Sequence, residues 1–122
     1  MTRAVRGAIQ VAENSRRAIE NSTVKLVSEV LRANAIAEQH IVSIIFSVTE
    51  DLRAANPATS IRRQGFASTP LFCTQEPRVD GGMERVIRVL VTFESPDQRE
   101  TVPVYLDGAE ALRADLGHGS RQ

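Results

Sequence analysis

Ile41-Val42-Ser43-Ile44-Ile45-Phe46-Ser47-Val48 is a nearly continuous apolar run of the length of one β-strand. A strand that is apolar on both faces belongs at the centre of a sheet, with cover above and below it. Upstream of it, Ile19, Thr23, Leu26, Val27, Val30 and Leu31 recur at helical spacing. They predict a long helix over about residues 15 to 34, with Asn14 as its N-cap. Residues 3 to 11 are rich in Val, Ile and Ala and read as a first strand. Val5, Gly7, Ile9 and Val11 share one of its faces, and Ala4, Arg6, Ala8 and Gln10 the other. Strand, helix and strand in that order imply a right-handed βαβ crossover.

Downstream, Asp51-Leu52-Arg53 begins a polar connection, and Pro57 opens a short helix that ends near Gln64-Gly65 and carries Arg62 and Arg63. Residues 70 to 76 read as a third strand, Gly81-Gly82 as a turn, and residues 86 to 94 as a fourth strand. In the fourth strand Arg88 shares a face with Val86, Leu90 and Thr92. The stretch from Ser95 to Thr101 is polar, and a short amphipathic helix is expected over about 108 to 115. The tail from Gly117 to Gln122 has no apolar anchor and is expected to be mobile. The strands are apolar on both faces, whereas one long and two short helices can cover only one. Oligomerisation is the simplest source of the missing cover, and a site shared between subunits follows from it.

The bulk properties narrow the class. A chain of 122 residues is one domain with room for a real core, and 42% hydrophobic with 25% charged residues is ordinary globular composition. Fifteen basic and fifteen acidic side chains cancel, which lacks the basic footprint of a nucleic-acid binder. No apolar run approaches the roughly 20 residues of a membrane span, and no signal-peptide pattern opens the chain. The single cysteine, Cys73, excludes an intramolecular disulfide and fits a reducing compartment, so the cytoplasm is the expected location. There is no zinc-ligand spacing and no Ser/His/Asp arrangement, and His40 and His118 stand alone.

The chemical clue is a pair of arginines inside apparently buried strands, Arg6 in Ala4-Val5-Arg6-Gly7-Ala8-Ile9 and Arg88 in Val86-Ile87-Arg88-Val89-Leu90-Val91. An unpaired guanidinium withdrawn from water costs several kcal/mol, so these positions point to an anion. Each residue also has a plainer reading. Arg6 and Arg88 can snorkel to water, Glu76 can be a strand-end carboxylate, and Cys73 can be a small buried hydrophobe. Tyr105 can be a core residue with a wet hydroxyl, and Arg62, Arg63 and Arg113 can be solvated helix charges.

Cys73-Thr74-Gln75-Glu76, followed after the glycine turn by Arg85-Val86-Ile87-Arg88-Val89-Leu90, gives the clue a context. Together with Arg6-Gly7, the segment from Asp51-Leu52 to Pro57-Ala58, Arg62, Val104-Tyr105-Leu106 and Leu112-Arg113-Ala114-Asp115-Leu116, it resembles the small monofunctional chorismate mutases of the trimeric pseudo-α/β-barrel class. The resemblance runs from about residue 3 to 116. It implies an α+β fold: a single domain over residues 1 to 116 with a mixed sheet, helices on one face, and three subunits packed around an axis. It also implies an isomerase of aromatic amino-acid biosynthesis that rearranges chorismate to prephenate without a cofactor.

By the same resemblance Arg88 donates to the breaking ether oxygen and Glu76 accepts from the ring hydroxyl, with Cys73 flanking it. Arg6 and Tyr105 hold the side-chain carboxylate. Arg62 from a neighbouring subunit and Arg113 near the tail help to retain the substrate, and Phe72 and Ala58 line the pocket. Some positions depart from the family pattern. Asn56 stands where an aromatic residue is usual, Thr59 where a lysine or other charged residue is common, Phe72 is bulkier than the residue often found before the cysteine, and Pro103 replaces a histidine. These bear on the rim more than on the charge set.

Strict alternation separates Leu71, Cys73 and Gln75 from Phe72, Thr74 and Glu76. Cys73 and Glu76 can share a pocket only if a bulge or the end of pairing intervenes near Thr74 to Glu76. The rival readings are a non-catalytic trimeric protein that binds or senses a small anion, and a small trimeric hydrolase or deaminase. The second would need a nucleophile or an activated water, and no base is positioned for either.

Overall fold

A computed structural model describes residues 1–112. Its elements are β1 (Thr2–Gln10), α1 (Arg16–Ala33), β2 (Ile41–Val48), α2 (Pro57–Arg62), β3 (Leu71–Gln75), β4 (Val86–Glu94) and β5 (Val104–Leu106). The five strands form one mixed sheet in the order β3-β2-β4-β1-β5. β4 runs antiparallel to both β1 and β2, whereas β3 is parallel to β2 and β5 parallel to β1.

β1 and β2 therefore run in the same direction, as a crossover requires, but they are not neighbours. β4 lies between them and pairs with β1 along its whole length. The reason is in β4 itself. Ile87, Val89, Val91 and Phe93 alternate and are all buried, so this strand completes the middle of the core face. A bulge between Ile41 and Ser43 ends the regular part of the β2–β4 ladder.

α1 begins one residue later than expected, at Arg16. Ser15 is the N-cap and its hydroxyl accepts from the Ala18 N–H at 3.2 Å. Asn14 turns instead to another segment, where its carbonyl oxygen accepts from the backbone N–H groups of Arg53 and Ala54. α2 starts as expected at Pro57, with the Asn56 side chain accepting from the Ala58 N–H at 2.8 Å. The short β5 is an addition to the four strands expected. Three residues are too few to show a period-2 pattern, and pairing with Gly7, Ala8 and Ile9 of β1 makes it a strand.

Both helices cover the same face of the sheet. Ile19, Leu26, Val27 and Val30 of α1 pack with Ile9, Ile44, Phe46, Ile87 and Val91, all at 0 or 1% exposure. Gly7 makes this close approach possible. A Cβ there would lie 3.0 Å from both the Val30 side chain and the Val104 carbonyl, tighter than nine in ten real Cβ contacts. The opposite face is covered at one end only. After β5 the chain turns so that Ala109 buries against Ala8 and Val86, flanked by Met83, Tyr105 and Leu112. Residues 110–112 are helical. The rest of the helix expected to 115, with Arg113 and the tail from residue 117, lies outside the described residues.

The uncovered part of that second face is apolar. Register places Phe72, Ile45 and Leu90 side by side across β3, β2 and β4, and they are 64, 41 and 40% exposed. Among the described helices, none is long and apolar enough to cross a membrane.

Candidate active site

Register also decides which charged residues meet. On the open face one row reads Thr74, Ser47, Arg88, Ala8 and Tyr105 across the five strands, and the next reads Phe72, Ile45, Leu90 and Arg6. Arg88 therefore sits mid-sheet on the face away from the helices, with its side chain partly exposed. Arg6 pairs with Leu90 and is the diagonal neighbour of Arg88, a separation of roughly 7–8 Å.

Glu76 follows the last residue of β3. Its N–H donates to the Val48 carbonyl at 2.7 Å, which holds the backbone at the end of β2. Its side chain lies over β2, where Glu76 Oε1 is 3.4 Å from Arg88 Nε and accepts from Ser47 Oγ at 2.5 Å. Arg88 Nε is buried and, among the described residues, makes no hydrogen bond. The pair sits at one end of a cleft of about 460 Å³ lined by Thr49, Glu50, Asp51, Glu76, Arg88 and the loop from Pro77 to Glu84. The loop is tied back by an ion pair between Arg78 and Glu50 at 3.0 Å.

A second network fixes the start of β4 and was not anticipated from the sequence. Arg85 has φ +51°, in the left-handed region where non-glycine residues are uncommon. Its N–H donates to both carboxylate oxygens of Asp51 at 3.1 Å, and Asp51 also accepts from Thr49 Oγ1 at 2.5 Å. Thr49 Oγ1 in turn accepts from the Val86 N–H, and Arg85 Nε donates to the Val11 carbonyl. β4 is thus held to the ends of both β1 and β2 three residues before Arg88. The signal available in the sequence was Thr49-x-Asp51, a spacing at which a hydroxyl and a carboxylate favour local turn bonds.

The residues expected in one pocket fall on two layers of this chain. Arg88, Glu76, Arg6, Tyr105 and Phe72 share the open face. Cys73 pairs with the fully buried Phe46 and points into the helix side, where Ala58 of α2 also packs. β3 is regular through Gln75, so no bulge turns Cys73 toward Glu76. Burial pushes the Cys73 thiol upward, away from thiolate. Arg62 is the last residue of α2 and is exposed on that same helix side. Arg113 lies outside the described residues. Among the described residues no three His, Cys, Asp or Glu side chains are grouped to hold a metal ion.

The fold is thus an α+β domain whose open sheet face carries a guanidinium–carboxylate pair at a cleft and a further arginine diagonal to it. Similarity to known proteins makes the class specific. Residues 2–116 match the family model described as chorismate mutase type I, and the chain belongs to that family. It is 41% identical over 118 residues to the chorismate mutase AroH of Thermus thermophilus, covering 95% of this chain and 97% of the relative. The chorismate mutase AroH of Bacillus subtilis is 32% identical over 118 residues, with 95% and 93% covered. The solved chorismate mutase of Clostridium thermocellum superposes with a TM-score of 0.86 at 40% identity, covering 89% of this chain and 98% of that one.

Proposed function

We propose that the protein is a chorismate mutase, an isomerase that converts chorismate to prephenate on the route to aromatic amino acids. The observation that carries this is the placement of Arg88 beside Glu76, its Nε buried and without a hydrogen bond among the described residues, on one face with Arg6. The rearrangement is pericyclic and intramolecular. One C–O ether bond breaks as one C–C bond forms through a compact chair-like arrangement, with no proton transferred. Catalysis then consists of holding the chair and stabilising the charge that develops as the ether bond lengthens.

In this reading Arg88 donates to the ether oxygen as it gains negative charge. Glu76 accepts from the ring hydroxyl and lies near the ring portion that becomes electron-poor. Arg6 and Tyr105 hold the side-chain carboxylate, and Phe72 lines the pocket. Cys73, Ala58 and Arg62 belong to the same site through a neighbouring subunit. Their position on the helix side supports this, because one chain cannot present both layers to one substrate. Arg113 is assigned the retaining role that the family resemblance gives it. The exposed Phe72, Ile45 and Leu90 supply an apolar surface for the homotrimer, whose closed symmetry gives three equivalent sites. A single domain over residues 1 to 116, working in the cytoplasm, fits the family.

The test is the loss of chorismate absorbance with purified protein in the presence of a chelator, beside Arg88→Ala. Turnover by the unsubstituted protein that collapses in the variant supports the reading. No turnover by the unsubstituted protein overturns it and favours the binding-only alternative.

A further inference from the structure

We propose that Ser47 is a positioning residue of this site, keeping Glu76 from closing onto Arg88. The inference rests on the mutase reading above and concerns how its two charged groups stay available to substrate. A carboxylate within reach of an arginine fork ordinarily closes to charge-assisted bonds of about 2.7–2.9 Å, often two in parallel. Here the closest ion contact between the two side chains is 3.4 Å, and the buried Arg88 Nε makes no hydrogen bond among the described residues. Two contacts hold the carboxylate back. The Ser47 hydroxyl donates to Glu76 Oε1 at 2.5 Å, and the Glu76 N–H is fixed to the Val48 carbonyl at 2.7 Å.

The sheet makes this arrangement specific. Glu76 and Arg88 flank β2 from its two sides, and Ser47 is the β2 residue in register with Arg88 on that face. Its hydroxyl is thus placed between them. Both contacts fall on Oε1, so Oε2 accepts no hydrogen bond from the described residues, and neither do the terminal nitrogens of Arg88 donate one. Those are the atoms a substrate hydroxyl and ether oxygen would use. Without the hydroxyl, Glu76 is free to swing and neutralise Arg88. The loss falls on transition-state stabilisation, because Arg88 is needed most when the ether oxygen charges.

The experiment is a double-mutant cycle on the full chain with Ser47→Ala, Ser47→Thr, Glu76→Gln and Ser47→Ala/Glu76→Gln. Ser47→Ala should lower kcat about tenfold, the order expected for one hydrogen bond to a charged group, with the unfolding midpoint unchanged. Ser47→Thr should restore the rate, and Ser47→Ala should cause no further loss in the Glu76→Gln background. A second measurement does not depend on turnover. The Glu76 side-chain carboxyl 13C resonance, identified by its absence in Glu76→Gln, should move in Ser47→Ala and return in Ser47→Thr. Additive losses, a lowered midpoint that accounts for the rate, or an unmoved resonance would overturn the proposal. An unsubstituted protein without mutase activity overturns the mutase reading instead, and the resonance alone then decides for or against Ser47.

Discussion

Arg88 and Glu76 touch across a strand to which neither belongs. Arg88 stands on β4 and Glu76 just beyond β3, and β2 runs between them with Ser47 beneath the contact. A charge pair built this way depends on the registers of two ladders at once, one parallel and one antiparallel. It needs rigid strands, which explains the clasp of Asp51, Thr49 and Arg85 at the start of β4.

Arg88 is expected to dominate the rate. Removal of one preorganised donor aimed at developing negative charge costs about a hundred- to a thousandfold in kcat. Arg88→Ala should show at least that loss in the chorismate absorbance assay. Arg88→Lys should recover only part of it, because an ammonium lacks the planar fork that can serve two acceptors. Full activity in Arg88→Lys would mean that only the net charge matters.

If the open-face residues and Arg62 serve one site from different subunits, two inactive variants should complement each other. Arg88→Ala and Arg62→Ala proteins, unfolded together and refolded as a mixture, should regain activity that neither has alone. A mixture no more active than the mean of its parts would place both residues in the same chain's site.

Ile45 and Phe46 are adjacent in sequence and opposite in role. Phe46 is fully buried against the helices, so Phe46→Ala should lower unfolding free energy by about 3–5 kcal/mol in denaturant titrations. Ile45 is 41% exposed beside Phe72 and Leu90, and Ile45→Asp should leave the fold intact by circular dichroism while shifting light scattering toward the monomer mass. An unchanged oligomer in Ile45→Asp would remove this face from the interface.

Cys73 should behave as a hydrophobe with a sluggish thiol. Burial raises its pKa, so the thiol form persists through neutral pH and thiolate gains only as pH rises into the alkaline range. Alkylation by iodoacetamide at pH 7 should be slower than for a free cysteine and should accelerate with pH. Rapid labelling at neutral pH would contradict the half-buried placement.

Asp97 offers an acid-side test away from the site. The Arg99 side chain, helped by the Arg99 N–H, holds its carboxyl down at about 2 against an ordinary 3.8. A lowered folded-state pKa contributes order that is present above 3.8 and lost as pH falls through about 2. Amide exchange in the loop around residues 95 to 99 should therefore rise between those two values. Exchange that stays flat across the window would show the pair to be solvated and without consequence.

The main elements were readable because their signals are local. The helical spacing from Ile19 to Leu31, the alternation in residues 3 to 11 and 86 to 94, and Pro57 after Asn56 each reflect which side chains can reach a core from one backbone period. The unusual content of the strands was local too, since arginines within apolar strands and a chain apolar on both sheet faces need no tertiary knowledge to be noticed. The cap at Ser15 rather than Asn14 differed because two adjacent polar residues compete for it, and Asn14 is claimed by the backbone at Arg53 and Ala54.

What the tertiary structure alone decided are relations between distant segments. The insertion of β4 between β1 and β2, the strand identity of Val104–Leu106, and the absence of a bulge in β3 that would bring Cys73 to Glu76 all follow from pairing partners more than twenty residues away. The sequence by itself determined the long helix, the short α2 and four of the five strands, and that two arginines stand within apolar strands. Only the folded sheet decided that Arg88 and Glu76 face one another over Ser47, because that meeting is set by hydrogen-bond register between strands, a property no single segment carries.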